Sequence, residues 1–527
     1  MSSQPNILFL LSDEHSYRCL SHLDPNDEGE PVNTPTLDRL SAQSTVFHQT
    51  YCQVALCTPS RICMLTSMSP IRSGGWTNGS YLKPGNKTLP QTFAEAGYVT
   101  CLIGKMHLGG NRQFVGFQHR PYGDLTGKAG HQHEPLLENH KTNEFAQQSW
   151  MRKAGLTDIP ESKLQEQVVA RETIAFLREH RHARPDQPWF LCASFSRPHW
   201  PVTVPRRYFE RYWPDSVTPP KVGCMGDTVN HHITQQAVVS NQSNKLSEET
   251  AMQARAAYFG CVDYLDEVLG DLLFLLDRDG LLENTIIIYT SDHGELAGEH
   301  GLWGKTTWHE ASVRVPWLVQ LPEHRSGALP AVRLQTPVSL ADLYPTLCGL
   351  AGIEILDELE GVDLSAAVCS GQEPGRGPVS TINFVRPDKS LDHYILREGR
   401  YKYVRCRPPT PDLLFDLQDD PLEQTNLLTN GAHEHADIIV RMRDWIDTHW
   451  DFSTADEQKE RDQAETEANA LPDFMHPGEL YIKGNLSMGN FYLLPDNRLV
   501  AADTPLYNPV TLTDKPQDVF SDWPGND

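Results

Sequence analysis

The chain has 527 residues, more than one simple core holds, so two domains or one large domain with an appendage is expected. Its 39 % hydrophobic and 22 % charged content suits a soluble globular protein. With 45 basic and 69 acidic residues the formal charge is −24, which excludes a general nucleic-acid footprint but not one local basic pocket.

The first element is "PNILFLLSDEH". Pro5 and Asn6 precede an apolar run that ends in Ser12-Asp13-Glu14-His15, the pattern of a buried parallel strand with polar groups at its carboxyl end. Residues 34–43 follow as a helix, with Pro35 near its start and Leu37 and Leu40 on one face. In "VALCTPSRICMLTS" (54–67), Pro59 sits just inside a helix start, where its missing N–H costs nothing. Cys57 is therefore at or just before a helix N-terminus, where backbone N–H groups and the dipole attract anions, and Arg61 lies one turn later. Residues 88–110 read as helix, Gly97, then a strand from Tyr98 to Ile103 ending in Gly104-Lys105-Met106-His107. Residues 188–202 give another strand and a polar loop, Ser196-Arg197-Pro198-His199. Residues 248–279 form a long amphipathic helix ending at Gly280. "NTIIIYTSDHGE" (284–295) is a strand ending in Ser291-Asp292-His293-Gly294.

Strands alternating with helices predict an α/β fold, a mostly parallel sheet sandwiched by helices, with ligands at the carboxyl ends of the strands. From about residue 376 the pattern changes to short antiparallel strands and a helix over 432–450. The expected division is a catalytic domain over 1–375, a smaller C-terminal α+β subdomain over 376–450, and a C-terminal extension over 451–527 that begins acidic and polar. No stretch is long enough to span a membrane. Ile7 to Leu11 is too short for a signal sequence and has no basic segment before it, so a cytoplasmic protein is expected, or a secreted or periplasmic one where a leader precedes. The 11 cysteines are odd in number, scattered and without a C-x-x-C pair, so neither a disulfide framework nor a zinc site is expected. Cys101, Cys192 and Cys261 lie in apolar segments and read as core thiols.

Each polar cluster has an ordinary reading of its own. Asp13-Glu14 could cap a helix, Asp292-His293-Gly294 is common turn chemistry, Lys105 and His107 could be surface loop residues, His199 a rigid-loop histidine and Lys305 a solvated lysine. The weight lies in finding all of them in this order, each after a strand or at a helix start.

With "PNILFLLSDE", "CTPSR", "GKMHLG", "RPHWP", "SDHGELAGEHGLWGK" and "LLFDLQDDPLEQTNL", the chain resembles a type I sulfatase of the alkaline phosphatase superfamily. The match runs from residue 5 to about 430. It is most similar to the branch holding choline-sulfatase-like, carbohydrate-sulfatase-like and phosphonate-monoester-hydrolase-like enzymes. The resemblance implies that Cys57 is oxidised by a formylglycine-generating maturation enzyme to an aldehyde whose hydrate is the nucleophile. A thiol attacking sulfur would leave a stable thiosulfate ester, whereas a hemiacetal sulfate expels sulfate by reforming the aldehyde. It further implies a divalent metal held by Asp13, Asp292, His293 and modified Cys57, calcium by its hard oxygen ligands, with manganese or another divalent metal as the alternative. Glu14 stands where the family has Asp, Asn or Gln and is a further candidate ligand. Arg61 and Lys105 would pair with the diol and sulfate. His107 would orient or deprotonate the diol, and His199 and Lys305 would sit toward the ester oxygen, with His199 as general acid.

The implied activity is hydrolysis of an organic sulfate ester, a sugar sulfate or small alcohol sulfate, with phosphonate monoester or phosphodiester hydrolysis as the alternative. Two departures stand out: Thr66-Ser67 replaces the family's Thr-Gly, and His309 replaces a frequent Tyr. Loops 72–82, 112–145 and 222–245, with Trp76, Asn78, Arg112, His119, Arg120, His131, His133, His231 and His232, are expected around the mouth. The apolar groups of 479–500 must be covered. By the same resemblance that segment is expected to contact another subunit in a homodimer or tetramer, with an arm wrapped on its own subunit as the alternative.

Overall fold

The computed structural model describes residues 4–83, 85–108, 114–123, 154–157, 159–200, 202–223, 228, 230–240, 246–429, 433–468, 491–493 and 499–501. Residues Ile7 to Leu11 are all apolar and buried. Ile7, Phe9 and Leu11 enter one core and Leu8 and Leu10 another. A strand that is apolar on both faces needs cover on both, at about 1.5–3 kcal/mol per large side chain buried. Ile62 and Leu65 of the Cys57–Thr66 helix and Leu347 of the Leu343–Ala351 helix supply one side. Val169 and Leu177 of Gln165–Ala183 and Leu265 and Leu269 of Glu248–Arg278 supply the other.

The Asn6–Asp13 strand is central in an eight-stranded sheet whose spatial order is 332–334, 45–47, 317–320, 285–291, 6–13, 189–198, 99–104 and 119–122. Only Trp317–Gln320 runs against its neighbours. The mostly parallel sheet covered on both faces is the architecture expected from the alternating pattern. Register then sets the site. Ser12 lies opposite Ser291, Asp13 opposite Pro198, and Gly104 opposite Ser194. The residues that follow these strands, Lys105, His199, Asp292 and His293, must therefore emerge at the same edge as Asp13. Gly104 has φ +94, and a Cβ there would meet Ser194 O at 2.1 Å, so no other residue fits this close strand exit.

The C-terminal part is a four-stranded antiparallel sheet, Val379–Asn383, His393–Glu398, Tyr401–Cys406 and Leu413–Asp416, each paired with the next. Val379, Ile395, Val404 and Phe415 face the main core, while Ile382, Leu396, Tyr403 and Leu414 pack on Ile439, Met442 and Ile446 of the Ala436–His449 helix. The acidic stretch after 451 holds a second helix, Phe452–Ala468. No apolar stripe announces it because much of its docking is polar: Asp462 accepts from Trp76 Nε1 at 2.8 Å and pairs with Lys83 at 2.6 Å, and Lys459 Nζ donates to Phe384 O. Of the 479–500 segment, the paired strands Phe491–Leu493 and Leu499–Ala501 are described. The rest of that segment, where the subunit contact is expected, lies outside the described residues.

A buried ion network ties the C-terminal sheet to the main body. Lys402 Nζ sits 3.0 Å from Glu310 Oε1 and 2.7 Å from Glu423 Oε1, and Glu423 Oε2 accepts from Glu310 N at 2.6 Å. Lys402→Met removes the shared cation: buried Glu423 loses its ammonium partner, and Glu310 keeps Arg314 at 3.8 Å and the Tyr51 hydroxyl at 2.9 Å. The expected loss is about 3–5 kcal/mol, read as a lower urea midpoint, with partial recovery in Lys402→Met/Glu423→Gln. An unchanged midpoint for Lys402→Met would refute this.

Candidate active site

Cys57 is the first residue of its helix, with Leu56 as the extended N-cap. Its Sγ lies 3.0 Å from His293 Nε2 and 3.7 Å from Asp13 Oδ1. His293 Nδ1 is 3.0 Å from Gly294 O, which can only accept. The proton is therefore on Nδ1, and Nε2 turns its lone pair toward the sulfur.

Arg61 occupies the centre. Nε donates to Asp292 Oδ2 at 2.7 Å, Nη2 to Asp13 Oδ2 at 2.8 Å, and Nη1 to Lys105 O at 2.9 Å and Ser194 Oγ at 3.0 Å. The guanidinium is thus engaged by the protein and acts on the two carboxylates. Lys105 Nζ also contacts Asp13 Oδ2, at 2.5 Å. Both cations take the same oxygen of Asp13, which leaves Oδ1 facing Cys57.

On the far side, Glu14 Oε2 pairs with Lys305 Nζ at 2.7 Å and faces His199 Nε2 at 3.1 Å. His199 Nδ1 donates to Trp200 O at 2.7 Å, so its contact with Glu14 is attractive only when one proton lies between them. Glu14 has φ 65, a left-handed conformation held from two sides: its N–H donates to Asp292 Oδ1 at 3.2 Å, and its carbonyl accepts from Tyr258 Oη at 2.8 Å. His107, at φ 58, is held through its carbonyl by Thr58 Oγ1.

Burial pushes the Cys57 thiol up, and Asp13 adds to it. As a thiol it is a poor nucleophile here. Burial works against ionisation of Asp13 too, but Lys105, His199 and Arg61 hold its carboxyl well below the usual range. Burial raises Glu14 well above the usual range, with Lys305 opposing and Glu295 reinforcing. For Lys305, burial disfavours the charge, but Glu14, Cys57 and Asp13 outweigh it and raise the ammonium. Burial lowers both His199 and His107 well below the ordinary imidazole value, helped by Lys305 and by Lys105 respectively.

The donor set suits a cation. One atom each from Asp13, Cys57, Asp292 and His293 lies within 4.8 Å of the others, and all four residues are buried. Glu14 stands outside this set, in a second group with Asp13 and His199. Its Oε1 is buried with no hydrogen-bond partner.

Asn383 had no signal in the sequence, because it does its work across the subdomain boundary. His393 Nδ1 donates to Leu391 O at 2.8 Å, so its Nε2 accepts from Asn383 Nδ2 at 3.0 Å. That fixes the amide. Its Oδ1 accepts from Ala55 N at 3.1 Å, two residues before Cys57, and its Nδ2 donates to Thr307 O at 3.3 Å, two residues after Lys305. One side chain of the C-terminal sheet thus spans the turn before Cys57 and the Lys305 loop.

Other expected residues lie elsewhere. Trp76 is in the C-terminal core and does not line a mouth. His309 is buried, stacked 4.7 Å from Trp308 and tilted against His300 at 4.2 Å, with Nδ1 3.0 Å from Thr307 Oγ1. His231 contacts Trp308 and Pro411 O, and His232 contacts Ser390. Asn78 does approach, accepting from Thr58 N at 3.2 Å. Arg112, His131 and His133 lie outside the described residues. Ser67 takes the left-handed helix end at φ 54, where glycine is easier, and its Oγ donates to Ala341 O at 2.8 Å.

A family model described as Sulfatase matches residues 5–353. The chain belongs to the sulfatase family. A second model, N-sulphoglucosamine sulphohydrolase, C-terminal, matches residues 298–449 of this sulfatase. Its relatives include the choline-sulfatase of Rhizobium meliloti (strain 1021), 31% identical over 478 residues that cover 88% of this chain and 90% of the relative. An arylsulfatase of Clostridium perfringens is 29% identical over 459 residues, 82% of this chain and 92% of the relative. The protein is accordingly a sulfuric ester hydrolase. Among solved structures, the phosphonate monoester hydrolase of Agrobacterium radiobacter shares the fold with a TM-score of 0.71 at 22% identity, over 95% of this chain and 100% of that one.

Asn383→Asp keeps the acceptor for Ala55 but places a second acceptor against Thr307 O. A shift of the Lys305 loop of order 1 Å should lower kcat on an alkyl sulfate by about 10²-fold, with KM moving far less. Steady-state kinetics check this. Wild-type kcat in Asn383→Asp would show that the bridge does not position the loop.

Proposed function

We propose that this sulfatase hydrolyses the sulfate ester of a sugar or small alcohol, with a formylglycine hydrate made from Cys57 as nucleophile and a bound divalent metal. The observation that carries the reading is the placement of Cys57 Sγ, in contact with His293 Nε2 and near Asp13 Oδ1, within a buried set that also contains Arg61 and Lys105. The raised thiol supports conversion, since neither its ionisation nor thiol attack on sulfur leads to turnover. Formylglycine would supply a hydrate that attacks sulfur and an aldehyde that reforms as sulfate leaves. Asp13, Asp292, His293 and the modified Cys57 would hold the metal, which would supply positive charge to the diol and the sulfate oxygens. Calcium suits the carboxylate oxygens, and manganese suits a set containing imidazole.

The chain's own residues divide the remaining work. Arg61 clamps one oxygen each of Asp13 and Asp292, which orients both carboxylates toward the cation. Lys105 neutralises Asp13 and adds positive charge beside the nucleophile. His107 orients the diol or takes its proton. His199 Nε2 delivers the proton it shares with Glu14 to the departing alkoxide, with Lys305 beside both. The same reading includes a formylglycine-generating enzyme as maturation partner. It also includes a homodimer or tetramer built on the C-terminal extension, residues 451–527.

The decisive experiment compares turnover of matched alkyl sulfate, phosphate diester and phosphonate monoester by protein matured with such an enzyme. Sulfate should lead. Phosphonate or diester turnover higher by orders of magnitude would move the assignment to that chemistry. Mass spectrometry of the Cys57 peptide should show the lower mass of formylglycine, and Cys57→Ala should abolish turnover while the fold persists.

His199→Ala should slow alkyl or sugar sulfates far more than nitrophenyl sulfate, whose phenolate leaves without a proton, by about 10²–10⁴-fold. Equal losses on both would reassign His199 to binding. Asp292→Asn should lower bound metal, measured by elemental analysis, together with activity. Full metal occupancy in that variant would remove Asp292 from the ligand set.

A further inference from the structure

Nearly every charged arginine around the C-terminal sheet has an acid. Arg407 pairs with Asp392 and Asp456, Arg400 with Asp416 and Asp419, and Arg405 with Asp412. Among the described residues Arg397 and Arg386 are the arginines of this sheet without an acid. The Arg397 fork is filled by neutral oxygens of Tyr51, Gly399, Tyr401 and Gln49. Arg386 Nε and Nη2 donate to one neutral oxygen, Thr306 Oγ1, at 3.2 and 2.8 Å. It is half-buried, and that burial lowers its pKa with no carboxylate set against it. In a chain with 69 acidic and 45 basic residues, a half-buried guanidinium without an acid is the uncommon arrangement.

Its position gives it a use. Thr306 directly follows Lys305, whose Nζ reaches Glu14 Oε2 on the leaving-group side. Asp13, Cys57, Arg61 and His293 are fully buried, whereas Lys305, Thr306 and Arg386 are each half-buried. Burial thus decreases from the Cys57 cluster to Lys305, Thr306 and Arg386. One tethered edge leaves the rest of the planar fork available for a two-pronged contact with a carboxylate or a sulfate. Thr306 itself sits at φ 77, so the loop that carries Lys305 is bent toward this guanidinium at a backbone cost.

We propose that Arg386 forms an anion-recognising subsite beside the leaving group, selecting sulfate esters whose alcohol portion carries a second anion, a carboxylate or another sulfate. The inference rests on the sugar- or alcohol-sulfate reading above and narrows it. It sets this protein apart from a binder of choline sulfate, whose alcohol portion is a cation that Arg386 would repel.

The test is a binding measurement, so that it does not depend on turnover. Full-length Cys57→Ala protein is titrated calorimetrically with four esters: a monosulfated uronic acid, D-glucosamine-2-N,6-O-disulfate, a monosulfated neutral hexose and choline sulfate. At least one of the first two should bind about ten-fold or more tightly than the neutral hexose ester, and choline sulfate more weakly than it. Whichever of the two gains more identifies the anion as carboxylate or sulfate. Arg386→Gln on this background should bring all four within about threefold, while Arg386→Lys, which keeps the charge and loses the fork, should fall between. Equal affinity for the neutral and anionic esters in the parent, or a preference that survives Arg386→Gln, overturns the proposal. Should Arg386→Gln fail to fold, the parent ranking and the Arg386→Lys value decide it. Failure of the matured enzyme to turn over any of the four would count against the sugar- or alcohol-sulfate reading, and the affinity ranking would still decide Arg386.

Discussion

The Arg61 fork is the interaction on which the site depends. It joins three separate parts of the chain: the end of the first strand through Asp13, the end of the 285–291 strand through Asp292, and the Cys57–Thr66 helix on which it stands. All three side chains are fully buried. A pair of this kind gains little over an apolar replacement, but losing one partner costs several kcal/mol because a bare charge stays inside. Its value lies in geometry. Each carboxylate has one oxygen held by the guanidinium, so the other oxygen has a defined direction. Cys57, four residues before Arg61 on the same helix, is aligned by the same constraint.

Charged side chains gather around this clamp. Arg61, Lys105 and Lys305 stand beside Asp13, Asp292 and Glu14, the last with a carboxyl that burial raises well above the usual range. A divalent cation among Asp13, Asp292 and His293 would add positive charge at the point where a sulfate ester brings its negative charge. The fields of Lys105 and Lys305 would then act on developing negative charge instead of being spent on the carboxylates.

Much of this was legible in the sequence for a simple reason. A parallel strand that is apolar on both faces must end at the edge where its polar residues emerge, so Asp13, Lys105, His199 and Asp292 could be placed together from strand ends alone. Cys57 and Arg61 were legible because proline and helix spacing fix their relation. Asn383 and Arg386 were not, since each is defined by partners far along the chain: Asn383 by Ala55, and Arg386 by Thr306. The Phe452–Ala468 helix was missed because polar anchors such as Asp462 to Trp76 leave no apolar period to read. Trp76 was misplaced by the same contact, for an aromatic residue in a glycine-rich loop reads as a ligand binder until its partner is seen.

The strained backbone shows where the fold concentrates its cost. Glu14, His107, Ala297, His300 and Thr306 all have positive φ without being glycine. Each such residue costs about 1–3 kcal/mol and persists only where its surroundings over-determine it. The restraints include Asp292 and Tyr258 on Glu14, Thr58 on the carbonyl of His107, Arg255 on the carbonyl of Ala297, and Arg386 on the hydroxyl of Thr306. All but the last come from the body that carries Cys57. The last comes from the C-terminal sheet, which also reaches the same loop through Asn383. The C-terminal sheet is therefore part of the scaffold of this site, because the loop presenting Lys305 is held both by Glu295 of the main body and by side chains that the parallel sheet does not supply.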